Sequence, residues 1–480
     1  MSIDPASRAK NGIIVSGVIP MESVNNPPPG APEAEDRGSS KPNPKPRRSI
    51  KESPWKPYFM KRLNPIPRPL VKINATLKEM RIMAWLITAI LFRFAPAMAQ
   101  VDLHAHLYMK QGLGPLLRGN AKEEAKARLP SSHLDTKATE ITLLSSGAPK
   151  ITVVSLYAHP WLSSPLDFHF RENVSRALDR EYEELIEFVK AHADRVVLAK
   201  TPADARLAIQ NGKQVLVLSI EGAYGALETE ADLSKWVQDR GLSILGPFHL
   251  TEDYFGGVAL LSPLLSLFTS PYSFLQSLML SGGSCLNSVC TSPMGIKPAG
   301  RDLVSRLLEH RVWVDMAHAN ILEQRELLPE FKKRGIPLLV SHTPLQSHFS
   351  AERSLSSIEM EYLKTTGGIV GLIPSDDYLE GSQTGPCFSG LLEFKKQIQE
   401  LEQRIGKNKV MIGSDFNSPL KGLSAACGAR EGEILGVFES TGFFRQDQFK
   451  SLSDFVGSDP DWTRSTEEAF LSNWEKVRSH

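Results

Sequence analysis

Two histidines one residue apart, His104 and His106 in VDLHAHLYMK, have a spacing that suggests chemistry. On a strand, residues i and i+2 face the same way, so both imidazoles point to one side at the end of a short apolar element. A pair alone does not make a site, because the chain has 12 histidines. Further donors stand at the ends of other apolar runs: Glu221 closes SIEG, His318 closes VDMAH, His342 lies in LLVSHT and Asp415 in IGSDF. Four imidazoles and two carboxylates suit zinc, and also manganese or iron. One ion rarely takes six protein ligands, whereas two ions about 3.5 to 4 Å apart can share them through a bridging carboxylate. Each His alone has a bland structural explanation. Glu221 is harder to dismiss, since an unpaired buried charge costs several kcal/mol.

Something must carry these donors to one place. The runs at residues 101–106, 151–159, 213–222, 242–250, 311–318, 337–343, 367–374 and 409–416 are rich in Val, Ile and Leu and read as buried strands. Between them, segments such as 180–195, 300–311 and 390–406 carry apolar residues at helical spacing. Strands alternating with helices predict a parallel sheet, and eight of them close a (β/α)8 TIM-type barrel. A doubly wound open sheet is the runner-up, and residues 195–200 offer an extra strand. The barrel is favoured because most runs end in an ionisable or polar residue, His249 among them. Barrel enzymes collect their catalytic groups at the C-terminal rim of the strands.

The elements H-x-H at the first strand, EG after a buried strand, GIKPAGRDLVSRLLEHRVWVDMAHAN, LLVSHT and IGSDF resemble the membrane (renal) dipeptidase family of metallopeptidases, within the amidohydrolase superfamily. The resemblance spans roughly residues 100 to 475 and agrees in order and spacing at five places. It implies a zinc-dependent dipeptidase in which two divalent metal ions, zinc first, activate water against an amide bond. His104 and His106 would bind one metal, Glu221 would bridge, and His318 and His342 would hold the second. Asp415 would move the proton of the attacking water, and His249 would polarise the substrate carbonyl. Arg353 would receive the terminal carboxylate of a dipeptide, a planar contact that a guanidinium suits. Two departures stand out. The family usually has Asp where this chain has His106, and TEDYFGG after His249 lacks the usual TH-x-x-N pattern. Another amidohydrolase activity, deacylase or lactonase, is the first alternative; a non-catalytic binding barrel and a membrane-tethered structural protein are others.

The rest of the sequence sets bounds. With 480 residues, 41% apolar content and a net charge of +1, a large core is affordable and nothing calls for a nucleic-acid partner. Residues 1–79 hold 14 of the 33 prolines and 14 Lys and Arg against 7 Asp and Glu, which predicts a basic disordered segment. Residues 80–99 have a basic residue, a short apolar core and an Ala97-Met98-Ala99 site, the pattern of an export signal. The segment is short for a membrane span of roughly 20 residues, although a short anchor with a basic tail is the alternative. As a signal it implies a start at Met80 or Met83, a hydrolase barrel over 100–480, and a periplasmic or secreted protein. The simplest cysteine pairing is Cys285 with Cys290 and Cys387 with Cys427, against four unpaired thiols. The apolar insertion at residues 251–299 suits a lid, a homodimer surface or a membrane-facing patch.

Overall fold

The computed structural model describes residues 100–108, 142–158, 170–379, 389–418, 420, 422–424, 442–443, 445–457 and 462–480. Segments 1–79 and 80–99, together with His159, Cys387 and Cys427, lie outside the described residues. The strands are β1 (Val101–Ala105), β2 (Ile151–Leu156), β3 (Val196–Ala199), β4 (Gln214–Glu221), β5 (Ile244–Gly246), β6 (Trp313–Val314), β7 (Leu338–Thr343), β8 (Gly368–Leu372) and β9 (Val410–Ile412). Their order is β6-β5-β4-β2-β1-β9-β8-β7, and every pairing along it is parallel. The two ends of this row meet through a parallel bridge between Asp315 and Leu339, where the Met316 N–H donates to the Leu339 carbonyl at 2.9 Å. The result is a nearly closed eight-stranded (β/α)8 barrel. The extra strand, β3, pairs with the first half of β4 (Gln214–Val217), while β5 takes the second half (Ser219–Glu221).

All eight apolar runs became barrel strands because both their faces are covered. Every residue of β1, β2, β7 and β8 is buried, which only a continuous apolar run tolerates. The helices are α1 (Phe170–Ala191), α2 (Pro202–Gln210), α3 (Glu230–Ser234), α4 (Pro263–Thr269), α5 (Pro271–Leu280), α6 (Pro298–Glu309), α7 (Ile321–Arg334), α8 (Ser357–Thr365), α9 (Gly390–Ile405), α10 (Phe449–Val456) and α11 (Trp462–Ser479). In α9 the buried residues Leu391, Phe394, Ile398, Leu401 and Ile405 recur at three- and four-residue spacing and form one stripe against the barrel. Each such side chain contributes about 1.5–3 kcal/mol on burial, so the stripe accounts for this helix without any special propensity. Sharp starts come from local chemistry. Asn320 and Glu323 form a capping box on α7, and Ser356 and Glu359 form one on α8.

Three strands are shorter than their apolar runs. β5 stops at Gly246 because Pro247 has no N–H for the ladder. β6 and β9 stop before Asp315 and Gly413, so His318 and Asp415 stand on loops just past the strand ends. The helix expected at 180–195 begins earlier, at Phe170.

The insertion between β5 and α6 holds α4 and α5. No Asp, Glu, Lys, Arg or His stands between Asp253 and Lys297, and Leu264, Phe268, Tyr272, Met279 and Leu280 are all exposed. A disulfide joins Cys285 to Cys290, as one of the two expected pairings has it. Glu352 ties this insertion to the barrel. Its Oε2 accepts the N–H groups of Leu260 (3.0 Å) and Ser292 (2.7 Å), and its Oε1 that of Ile321 (3.2 Å). Among the described residues no helix is long and apolar enough to cross a membrane.

Candidate active site

Five strand ends meet at the C-terminal mouth of the barrel. His104 is the fourth residue of β1 and His106 follows its end; Glu221 is the last residue of β4 and His342 the fifth of β7. Glu221 lies between two imidazole pairs. Its Oε2 is 3.6 Å from His104 Nε2 and 3.3 Å from His106 Nε2. Its Oε1 is 2.9 Å from His318 Nε2 and 3.2 Å from His342 Nε2. Within each pair the Nε2 atoms are 3.2 and 3.1 Å apart. Asp415 adds an oxygen 3.2 Å from His106 Nε2 and 3.9 Å from His104 Nε2. All four imidazoles and Glu221 are buried, and Asp415 is the more open member at the mouth.

Hydrogen bonds on the far side of each ring decide which nitrogens face inward. His106 Nδ1 meets the Ser155 carbonyl at 3.0 Å and so must donate, leaving a lone pair on Nε2. A guanidinium only donates, so Arg353 Nη2, 3.3 Å from His318 Nε2, finds a lone pair there too. Ser341 Oγ touches the Nδ1 atoms of both His104 (3.3 Å) and His342 (2.8 Å). In their neutral forms the four imidazoles thus turn Nε2 lone pairs toward the acceptor oxygens of Glu221. Acceptors at such distances repel unless a cation or a proton stands between them, so the donor set fits divalent metal ions. Among the described residues, the groups that could hold a metal are His104 with His106 and Asp415, His104 with Asp315 and His342, and Glu221 with His249 and His318.

The electrostatics agree. Burial lowers the His318 and His342 pKa values well below the ordinary imidazole range, assisted by the Arg353 charge, so both imidazoles are neutral. Burial pushes Glu221 up, yet the surrounding imidazoles, His249 and His104 first, hold it well below the usual carboxylate range. Asp415 is held low in the same way by its His106 hydrogen bond and by His342. For His106, burial lowers the pKa, but Asp415 and Glu221 raise it to about 10. In the metal-free chain a proton therefore occupies the position a metal would take, and binding must release it.

Of the remaining expected residues, His249 lies in this cluster, with Nε2 3.5 Å from Glu221 Oε2 and its ring 4.5 Å from that of His318 and 4.4 Å from that of Tyr157. Arg353 is buried beside the second pair, with Nη2 donating to the His342 carbonyl at 2.8 Å. Its Nε and Nη1 have no hydrogen-bond partner among the described residues although both are buried. Asp415 sits in a left-handed conformation (φ 47°), which Asp tolerates better than most residues. Its N–H donates to the His104 carbonyl at 2.9 Å. Buried Asp102 steadies the same turn: it accepts the Ser414 N–H at 2.8 Å and the Ser414 hydroxyl at 2.5 Å.

Sequence reasoning gave no role to Asp102, Ser414, Asp315, Ser341 or Tyr157. Four of them lie inside the quoted motifs, at VDLHAH, GSDF, VDMAH and VSHT, where their closeness to a ligand was the available signal.

Residues 283–429 match the family model of membrane dipeptidase (Peptidase family M19). An uncharacterised protein of the pqqA 5′ region from Klebsiella pneumoniae is 22% identical over 233 residues, 48% of this chain and 76% of that protein. Among solved structures, the probable dipeptidase PvdM from Pseudomonas aeruginosa superposes with a TM-score of 0.54 at 17% identity, over 72% of this chain and 89% of its own. A metallo peptidase from Rhodobacter sphaeroides, liganded with a phosphinate mimic of the dipeptide L-Ala-D-Ala, gives the same TM-score of 0.54 at 17% identity, over 79% and 99% of the two chains. At these identities the structural likeness establishes the barrel fold.

Proposed function

We propose that this chain is a metal-dependent hydrolase of the membrane dipeptidase family, whose model its residues 283–429 match, and that it is a zinc dipeptidase with two ions at one site. The observation that carries the reading is the two-sided use of Glu221, with one carboxylate oxygen toward His104 and His106 and the other toward His318 and His342. When bound, such ions polarise an amide carbonyl and lower the pKa of water toward neutrality. His104 and His106 would hold one ion and His318 and His342 the other, with Glu221 between them.

The remaining steps belong to the chain's own side chains. Asp415 is ionised and more open than the ligands, which suits a carboxylate that accepts a proton from the attacking water and returns it to the leaving amine. Arg353 has two unpaired N–H groups in a buried position, an arrangement that suits capture of the substrate's terminal carboxylate. His249 lies at the rim of the cluster, within reach of an oxyanion that develops on the scissile carbonyl. The phosphinate dipeptide mimic held by the Rhodobacter sphaeroides metallo peptidase supports dipeptides as the substrate class. The Cys285–Cys290 disulfide supports an exported protein, since such bonds persist in oxidising compartments.

The test is hydrolysis of a dipeptide panel before and after chelation, with zinc added back. Turnover that chelation abolishes and zinc restores is expected. Chelator-resistant turnover, or activity confined to N-acyl amino acids or lactones, would replace the dipeptidase assignment.

A further inference from the structure

We propose that Ser341 and Asp315 form a positioning dyad that fixes the tautomer of one imidazole on each side of Glu221, so that a single hydroxyl prepares both halves of the site. The inference rests on the two-ion reading above and names residues which that reading does not use.

The Ser341 hydroxyl donates to Asp315 Oδ2. A hydroxyl has one hydrogen, and Asp315 in its ionised form, which burial opposes and the two hydrogen bonds from Ser341 favour, can only accept it. Ser341 Oγ therefore meets its other neighbours with lone pairs. Those neighbours are His104 Nδ1 at 3.3 Å and His342 Nδ1 at 2.8 Å. Both must be N–H donors, so both Nε2 atoms are left with lone pairs that face Glu221. Asp315 is itself fixed, since its Oδ1 accepts the N–H groups of Ser341 (2.9 Å) and Ala317 (3.1 Å). Both members are buried, so water does not compete. The two rings lie against each other, with centroids 3.8 Å apart and planes 33° from parallel.

The other two imidazoles are fixed independently, His106 by the Ser155 carbonyl and His318 by Arg353. His104 belongs to one pair and His342 to the other. Asp315 and Ser341 thus reach across both pairs, although Asp315 precedes His318 by three residues and Ser341 adjoins His342. Outer hydrogen bonds of this kind set ligand orientation and basicity, and their loss typically weakens metal binding by about 10- to 100-fold.

The direct test is imidazole 15N NMR of the metal-free full chain, labelled at histidine, beside calorimetric zinc titration. Asp315→Asn is the informative variant because its shape is unchanged. Oδ1 keeps the two backbone N–H groups, and the new amide N–H₂ then faces Ser341 Oγ as a donor. The hydroxyl hydrogen must turn toward an imidazole, and that ring must become Nε2–H. The wild type should show His104 and His342 as Nδ1–H forms. Asp315→Asn should convert at least one of them to Nε2–H, and Ser341→Ala should leave the two rings in mixed tautomers. Zinc affinity should fall about 10- to 100-fold at one position or both in Asp315→Asn and at both in Ser341→Ala, with the His106 tautomer unchanged. Unaltered tautomers in Asp315→Asn, or zinc affinity within twofold of wild type, would overturn the dyad. So would a loss confined to one ion in Ser341→Ala, which removes the partner of both rings. If Ser341→Ala fails to fold, the isosteric Asp315→Asn decides alone. If the wild type binds no zinc, the two-ion reading fails, while the tautomers still decide whether the dyad acts.

Discussion

At the scale of single residues, the site is defined by which groups can donate a hydrogen and which cannot. Asp415 is the carboxylate with room to exchange a proton, because Glu221 is enclosed by four imidazoles. Asp415→Asn should keep both ions and lose at least about 100-fold in kcat, the size expected for a general acid–base group. Metal content and steady-state rates on one sample check both halves, and an unchanged rate would remove Asp415 from the reaction. Arg353 makes a different prediction. Its unpaired Nε and Nη1 leave a buried positive charge that a carboxylate would satisfy. Arg353→Lys keeps a charge but loses the planar fork, so KM for a free dipeptide should rise at least about 10-fold. The preference for a dipeptide over its C-terminal amide should shrink with it. If the ratio of the two substrates stays constant, the carboxylate is bound elsewhere.

At the scale of elements, the barrel was legible because its strands must be apolar on both faces. Uninterrupted Val, Ile and Leu runs are an unusually clear signal, and the polar residue closing most of them marked the rim. Less legible were the exact strand ends. β6 keeps only Trp313 and Val314 of a longer apolar run, and Asp315 beyond it holds the sheet only through its N–H to the Leu245 carbonyl and a bridge to Leu339. Asp315 and Ser341 themselves went unread, since one Asp or Ser beside a His is commonplace and only the fold brings residues 104, 315 and 341 together. Close strand packing carries its own prediction. A Cβ on Gly413 would lie 2.0 Å from the Ser341 carbonyl oxygen and 3.0 Å from His342 Cα and Cβ. Gly413→Ala must therefore push β7 outward, at a cost of about 1–3 kcal/mol or more. It should also weaken zinc binding through His342, which the new Cβ would crowd directly. Denaturant midpoints and zinc titration would show it. A stable variant with native zinc affinity would mean that the backbone relaxes without moving His342.

At the scale of the whole molecule, the α4–α5 insertion combines a charge-free sequence with exposed Leu264, Phe268, Tyr272, Met279 and Leu280, a patch of the kind that marks an interaction surface or an aggregation liability. Across the molecule, several carboxyl groups remain neutral well above their usual range. Burial raises Asp253, Glu352 and Glu359 to about 7 against the opposing pull of their backbone N–H bonds. Unfolded carboxyls ionise near pH 4, so between there and about 7 the folded chain holds more protons than the unfolded one. The stability these groups contribute is fully present below the unfolded value and is lost as pH rises through about 7. His106, raised to about 10, acts in the same direction above the ordinary imidazole range. His318 and His342 are lowered and oppose the trend, but only below about 6.5, where an unfolded imidazole is protonated. The clean window therefore lies above that value. In the presence of chelator, the urea midpoint should fall as pH is raised from about 6.5 to about 8.5. Added zinc should reverse the trend, because deprotonated imidazoles bind it more tightly and a ligand of the folded state stabilises by mass action. A midpoint that rises with pH in chelator would mean that these buried carboxyls are already ionised in the folded chain.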